Sequence, residues 1–184
     1  MKIACLGWGS LIWDPGALPV SSEWYGDGPD LSVEFARQSS NGRITLVVTE
    51  GVQSIPVLWT DLRADAPDHA RMLLAEREGV SKKNASRLIG LWSSTDRSSW
   101  SNAPAIGDWA TTRRLDAVVW TALGPKFSGE NRIPSRTEVV DYLRSLEGKK
   151  RSLAENYIRK TPSQIRTQYR QAIEEALGWH PIAI

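Results

Sequence analysis

A chain of 184 residues with 41% hydrophobic and 24% charged side chains has the length and balance of one globular domain that buries a core without staples. A formal charge of +2 is too small to argue for a nucleic-acid partner, and one cysteine excludes an internal disulfide framework and fits a reducing compartment. No apolar run reaches the roughly 20 residues that span a bilayer, and the first residues lead into a strand pattern rather than a signal peptide. The expectation is a cytoplasmic protein with no membrane partner; its oligomeric state is left open.

Lys2-Ile3-Ala4-Cys5 is an apolar run suited to a buried strand, and Cys5 within it reads as an inert buried thiol. Leu6-Gly7-Trp8-Gly9-Ser10-Leu11-Ile12-Trp13 follows. Its alternate glycines permit a sharp turn, with Gly9 expected at a positive φ, and successive N–H groups there can form an anion-binding nest. A tight turn with no ligand accounts for the same residues. Residues 14–30 are turn-rich and read as a surface loop. Asn41-Gly42 between two β-rich runs marks a hairpin of strands 33–39 and 43–49, with a third strand at 54–60.

Asp65-Ala66-Pro67 reads as a helix start capped by Asp65, the helix running to about Arg77 and stopping near Gly79. Residues 93–108 read as a long loop and 115–123 as another strand. Ser135-Arg136-Thr137-Glu138 is a capping box, opening a helix with Val139, Val140, Leu143 and Leu146 on one face. Lys149-Lys150-Arg151 reads as a solvated loop, and Thr161-Pro162-Ser163-Gln164 as a second box whose helix ends at Gly178. No repeat or linker divides the chain. The order of elements predicts a single α+β domain over 1–184 with a helical C-terminal part.

Nine tryptophans stand out. Most are expected in the core, with Trp8 and Trp13 either core or pocket wall. His69 and His180 lie far apart and the lone cysteine adds no ligand spacing, so neither a metal nor a cofactor is expected. A phosphate loop at Gly7-x-Gly9-Ser10 lacks the third glycine and a following helix with lysine.

Two segments, taken in order, resemble the γ-glutamylcyclotransferase-like family. Trp8-Gly9-Ser10-Leu11 stands where the family has its Tyr-Gly-Ser loop, and Ala75-Glu76-Arg77-Glu78-Gly79 where it has an Asp-x-x-Glu-Gly stretch. The resemblance covers roughly residues 2–80, with Val33–Arg37 and Arg43–Val48 as its hairpin and Ser54–Trp59 as the strand after it. It implies a small mixed or antiparallel β-barrel flanked by helices. It also implies a reaction in which the α-amine of a γ-glutamyl compound attacks its own side-chain carbonyl and releases 5-oxoproline.

On that resemblance Glu78 is the general acid/base, made basic by desolvation against Trp8, Trp13 or Trp59, with Glu76 as the fallback. Trp8 and the backbone of Gly9, Ser10, Leu11 and Ile12 hold the small γ-glutamyl substrate, and Arg37 lies near the pocket. Read from the residues alone, Glu78 is a solvated helix-end charge, and Arg37 a solvent-facing strand residue. Trp8 replaces the family's tyrosine and Ala75 its aspartate, which puts substrate choice and activity in question. A non-catalytic small-molecule binding module with the same fold is the alternative.

Overall fold

Five strands come first and three helices last in the computed structural model, which describes residues 1–21, 23–95 and 98–183. In chain order they are β1 (Ile3–Gly7), β2 (Asp30–Gln38), β3 (Ile44–Val48), β4 (Ser54–Pro56), β5 (Leu58–Asp61) and α1 (Pro67–Arg77). Then come α2 (Ala85–Leu88), β6 (Ile89–Ser93), α3 (Ala103–Thr112), β7 (Ala117–Thr121), α4 (Arg136–Ser145), α5 (Gly148–Lys160) and α6 (Gln168–Leu177). The chain clusters into two units, each with its own sheet.

The first unit takes in Met1–Gly7, Asp14–Leu31 and Pro56–Leu123, and its sheet has the order β5-β1-β7-β6. Every residue of β1 is buried, as its unbroken apolar run requires of a central strand. It pairs parallel with β7 and antiparallel with β5, while β6 runs antiparallel to β7. Helix α1 packs on β6 and β7, burying Ala70, Leu74 and Ala75.

The second unit takes in Trp8–Trp13, Ser32–Ile55 and Gly124–Ile184, with a sheet of order β3-β2-β4. The expected hairpin is present: β2 and β3 pair antiparallel, with Gly42 at φ +86° in the connection and a bulge between Phe35 and Arg37. Helix α5 packs on β3, and α4 on α6. The Ser135 capping box is complete, and Gly178 ends α6 in the left-handed conformation.

Several expectations need correction. Strand 54–60 is two strands in two sheets, because the Val57 N–H donates to the Pro29 carbonyl and interrupts the ladder. The strands therefore form two open sheets, and among the described residues no barrel closes. Asp65 does not cap α1. Ala66 is the cap residue, without a side-chain bond, and Asp65 instead interacts with His69. Residues 93–108 contain the start of α3, its first turn formed around Ala103-Pro104. Asp96 and Arg97 of that segment, like Ser22 of the 14–30 loop, lie outside the described residues.

Lys149-Lys150-Arg151 belongs to the first turn of α5 rather than to a loop. Thr161 follows the end of α5, its hydroxyl donating to the Tyr157 carbonyl, and the cap of α6 is Thr167, which accepts from the Arg170 N–H. The Thr161–Gln164 box thus belongs to the turn between the two helices. Only three of the nine tryptophans, Trp8, Trp120 and Trp179, are buried; the others are half-buried.

Candidate functional site

In the first unit, helix α1 ends in a Schellman motif. The Gly79 N–H donates to the Glu76 carbonyl, the Val80 N–H to the Ala75 carbonyl, and Gly79 takes φ +66°. Glu78 is the last residue before that reversal and donates its N–H to the Leu74 carbonyl. Helical spacing from buried Ala70 and Leu74 carries Arg77 and Glu78 inward and leaves Glu76 exposed. Their side chains are 13% and 16% exposed, and an Arg77 Nη1 to Glu78 Oε1 bond of 2.5 Å pairs them.

The other arm of the Arg77 guanidinium donates to the Asp14 carbonyl at 2.5 Å. One end of the fork is thus tied to backbone and the other to the carboxylate, which limits how far Glu78 can rotate. Burial pushes the Cys5 thiol far above its ordinary value, with the Glu78 carboxylate adding to the shift and Arg77 opposing it. Cys5 stays protonated near neutrality and is no nucleophile. Trp59, expected as a possible wall, donates its indole N–H to Asp27 and packs against Tyr25, Trp109 and Arg113.

The second unit holds the glycine loop. Its turn closes through the Ile12 N–H, which donates to the Gly9 carbonyl at 3.0 Å, so that N–H is taken up within the loop. Ser10 and Leu11 form the corner. The Trp8 ring is buried and its indole donates to the Leu46 carbonyl at 3.2 Å. Gly9 does not have the positive φ expected of it. Its lack of a side chain is steric: a Cβ there would overlap the Tyr157 hydroxyl. Arg37 donates to the Gly124 carbonyl at 2.7 Å, and partial burial lowers its pKa.

A further carboxylate in this unit, Glu34 on β2, is 1% exposed and accepts from the Phe35 N–H, the Thr167 hydroxyl and the Tyr169 N–H. It borders a cleft of about 580 Å³ that Arg166, Gln168 and His180 also line. Burial raises its pKa, against the pull of those three bonds. Sequence reasoning missed three residues of note, Arg77, Glu34 and Tyr157. For Arg77 a signal existed, since it lies three residues from Leu74 on the buried stripe. Tyr157 and Glu34 carry no local signal, because their partners are 111 and 133 residues away.

Among the described residues no group of three metal-ligating side chains comes together, and no helix is long and apolar enough to cross a membrane. No protein-family model matches the chain, and no curated protein matches it. Among solved structures, a γ-glutamyl cyclotransferase specific to glutathione from yeast aligns over 97% of this chain and 98% of its own, at 13% identity and a TM-score of 0.46. A likeness that remote carries nothing about chemistry, which rests on the residues themselves.

Proposed function

We propose that this chain is a γ-glutamylcyclotransferase-like enzyme, releasing 5-oxoproline and an amine or peptide from a γ-glutamyl compound. The observation that carries the reading is Glu78: a largely buried carboxylate at the Glu-Gly end of α1, oriented by Arg77. The resemblance of residues 75–79 and of the glycine loop to that family supports the same assignment.

The reaction needs little else. An α-ammonium with a pKa of about 8 is mostly charged at neutral pH and cannot attack. Glu78 takes its proton, and the amine nitrogen bonds to the side-chain carbonyl carbon as the carbonyl electron pair moves onto oxygen. Glu78 hands that proton to the departing nitrogen, collapse of the oxyanion breaks the bond to it, and the ring nitrogen then gives up its second proton, through Glu78, to the freed amine. Atoms and charge balance with no further reactant. Ring closure within one molecule lowers the barrier by about 7 kcal/mol or more once the substrate is held folded. Arg77 keeps the carboxylate in register through the transfers.

The test is 5-oxoproline release from γ-glutamyl amines, γ-glutamyl dipeptides and glutathione, with wild type beside Glu78→Gln. Release by wild type and a loss of roughly a hundredfold in the variant is expected. Equal release by both removes Glu78 from the chemistry. No release by either, with ligand affinity that survives Glu78→Gln, favours the non-catalytic binding module.

A further inference from the structure

We infer that Tyr157 on α5 is the positioning residue of the Trp8–Trp13 loop, and that glycine is required at position 9 to accommodate its hydroxyl. Four contacts within the second unit converge on this point. The Tyr157 hydroxyl accepts the Leu46 N–H at 3.2 Å, and the Leu46 carbonyl accepts the Trp8 indole N–H, so one residue of β3 is held through both its N–H and its carbonyl. The Trp13 ring meets the Tyr157 ring edge-on, with centroids 5.5 Å apart, at the other end of the loop. Between these anchors the hydroxyl stands where a Gly9 Cβ would go, while the ring carbon bearing it is 3.3 Å from that position.

The Phe35 and Arg43 side chains hold the ring from other directions, the first edge-on and the second with its guanidinium over the face. A ring fixed on four sides cannot swing away when Gly9 gains a methyl group, so the loop must move instead. Gly9 has no positive φ, so alanine there carries no backbone penalty of its own. The largest part of the cost of Gly9→Ala therefore comes from one oxygen atom, with the ring carbon at 3.3 Å adding a lesser part. Removing that oxygen should remove most of the cost.

The sequence showed Trp8 in place of a loop tyrosine, and with it the loss of a hydroxyl. Here a hydroxyl returns from a helix nearly 150 residues later, against the backbone of the next residue. It acts on the loop rather than on any reacting atom, which makes it a positioning residue.

The experiment is a double-mutant cycle of Gly9→Ala and Tyr157→Phe, read in two ways. Amide hydrogen exchange at Ile12 and Leu46 reports the loop directly and needs no activity. Tyr157→Phe should speed exchange at both amides tenfold or more with global unfolding nearly unchanged, and Gly9→Ala should speed Ile12 further than the double variant does. The turnover arm rests on the cyclising reading. There Gly9→Ala should lower kcat at least tenfold, and the double variant should return to within about threefold of Tyr157→Phe.

If wild type releases no 5-oxoproline, the cyclising reading fails while the exchange cycle still decides the proposal. Gly9→Ala effects equal in both backgrounds, or Ile12 exchange indifferent to Tyr157→Phe, would overturn it. A tyrosine serving only the core would lower the unfolding midpoint and leave kcat per folded molecule intact, with no rescue of Gly9→Ala.

Discussion

Glu78 in the first unit and Glu34 in the second are both carboxylates withdrawn from water, and their partners differ in kind. Glu34 is almost wholly covered and accepts from the Phe35 N–H of its own strand and from the Thr167 hydroxyl and Tyr169 N–H at the start of α6. Those donors are fixed by the fold, and the two from the helix start bind β2 to α6. Glu78 retains 16% of its side-chain surface and is held by one neighbouring guanidinium. Depth of burial alone would choose Glu34 as the chemical group. The donors argue otherwise: a carboxylate saturated by backbone is a strut, and one oriented by a single side chain keeps lone pairs for a proton.

The largest effect should come from Glu34→Ala. It strips the acceptor from three donors that the fold keeps dry, and the penalty for such orphaned groups should approach about 3 kcal/mol in urea unfolding. A loss below about 1 kcal/mol would erase the distinction, because Glu34 would then not be a strut. Next comes Glu78→Gln, expected to reduce turnover about a hundredfold, which is about 2.7 kcal/mol on the barrier. Its stability should change by less than about 1 kcal/mol, since the amide oxygen still accepts from Arg77. A large stability loss with turnover intact would reverse the two roles.

Gly79→Ala should be milder in equilibrium terms. A side chain at φ +66° costs about 1–2 kcal/mol, and the Schellman stop that fixes Glu78 loosens with it. Turnover should therefore fall more than folded stability does. Parallel falls, restored together by lower temperature, would mean that the stop serves only the helix.

Features set by adjacent residues are legible in the sequence. The Asn41-Gly42 hairpin, the Ser135 box, the Gly178 stop and the end of α1 at Glu78-Gly79 each depend on a few adjacent residues. Errors came where a nearby alternative competed for the same role. Thr167 outdid Thr161 as the cap of α6 because Arg170 reaches back from α6 to carbonyls of Thr161, Pro162 and Ile165 and stabilises that turn as a non-helical segment. The break at Val57 is decided by Pro29, which no periodicity in 54–60 reveals. In the site, Glu78 and the glycine loop were legible as motifs. The reason for Gly9 was not, since Tyr157 joins it only through the fold.

The smallest expected effect concerns pH, and it tests whether Glu34 carries its charge reluctantly. Burial raises its pKa above the ordinary 4.5, so from pH 4.5 up to the raised value the folded chain keeps a proton that the unfolded chain has released. Bound protons then favour the folded state, and stability must fall as pH rises through that window and level off above it. The change is at most about 1.4 kcal/mol for each pH unit crossed. Glu34→Gln has no such proton to lose. The difference in urea midpoints should therefore move in the variant's favour from pH 4.5 upward and become constant once pH has passed the raised value. Arg170, Glu174 and His180 near the same cleft are common to both proteins, so their titration cancels in that difference to first order. A difference that stays level from pH 4 to 8 would mean that the three donors fully offset the burial of the charge. Glu34 and Glu78 would then differ in their partners alone.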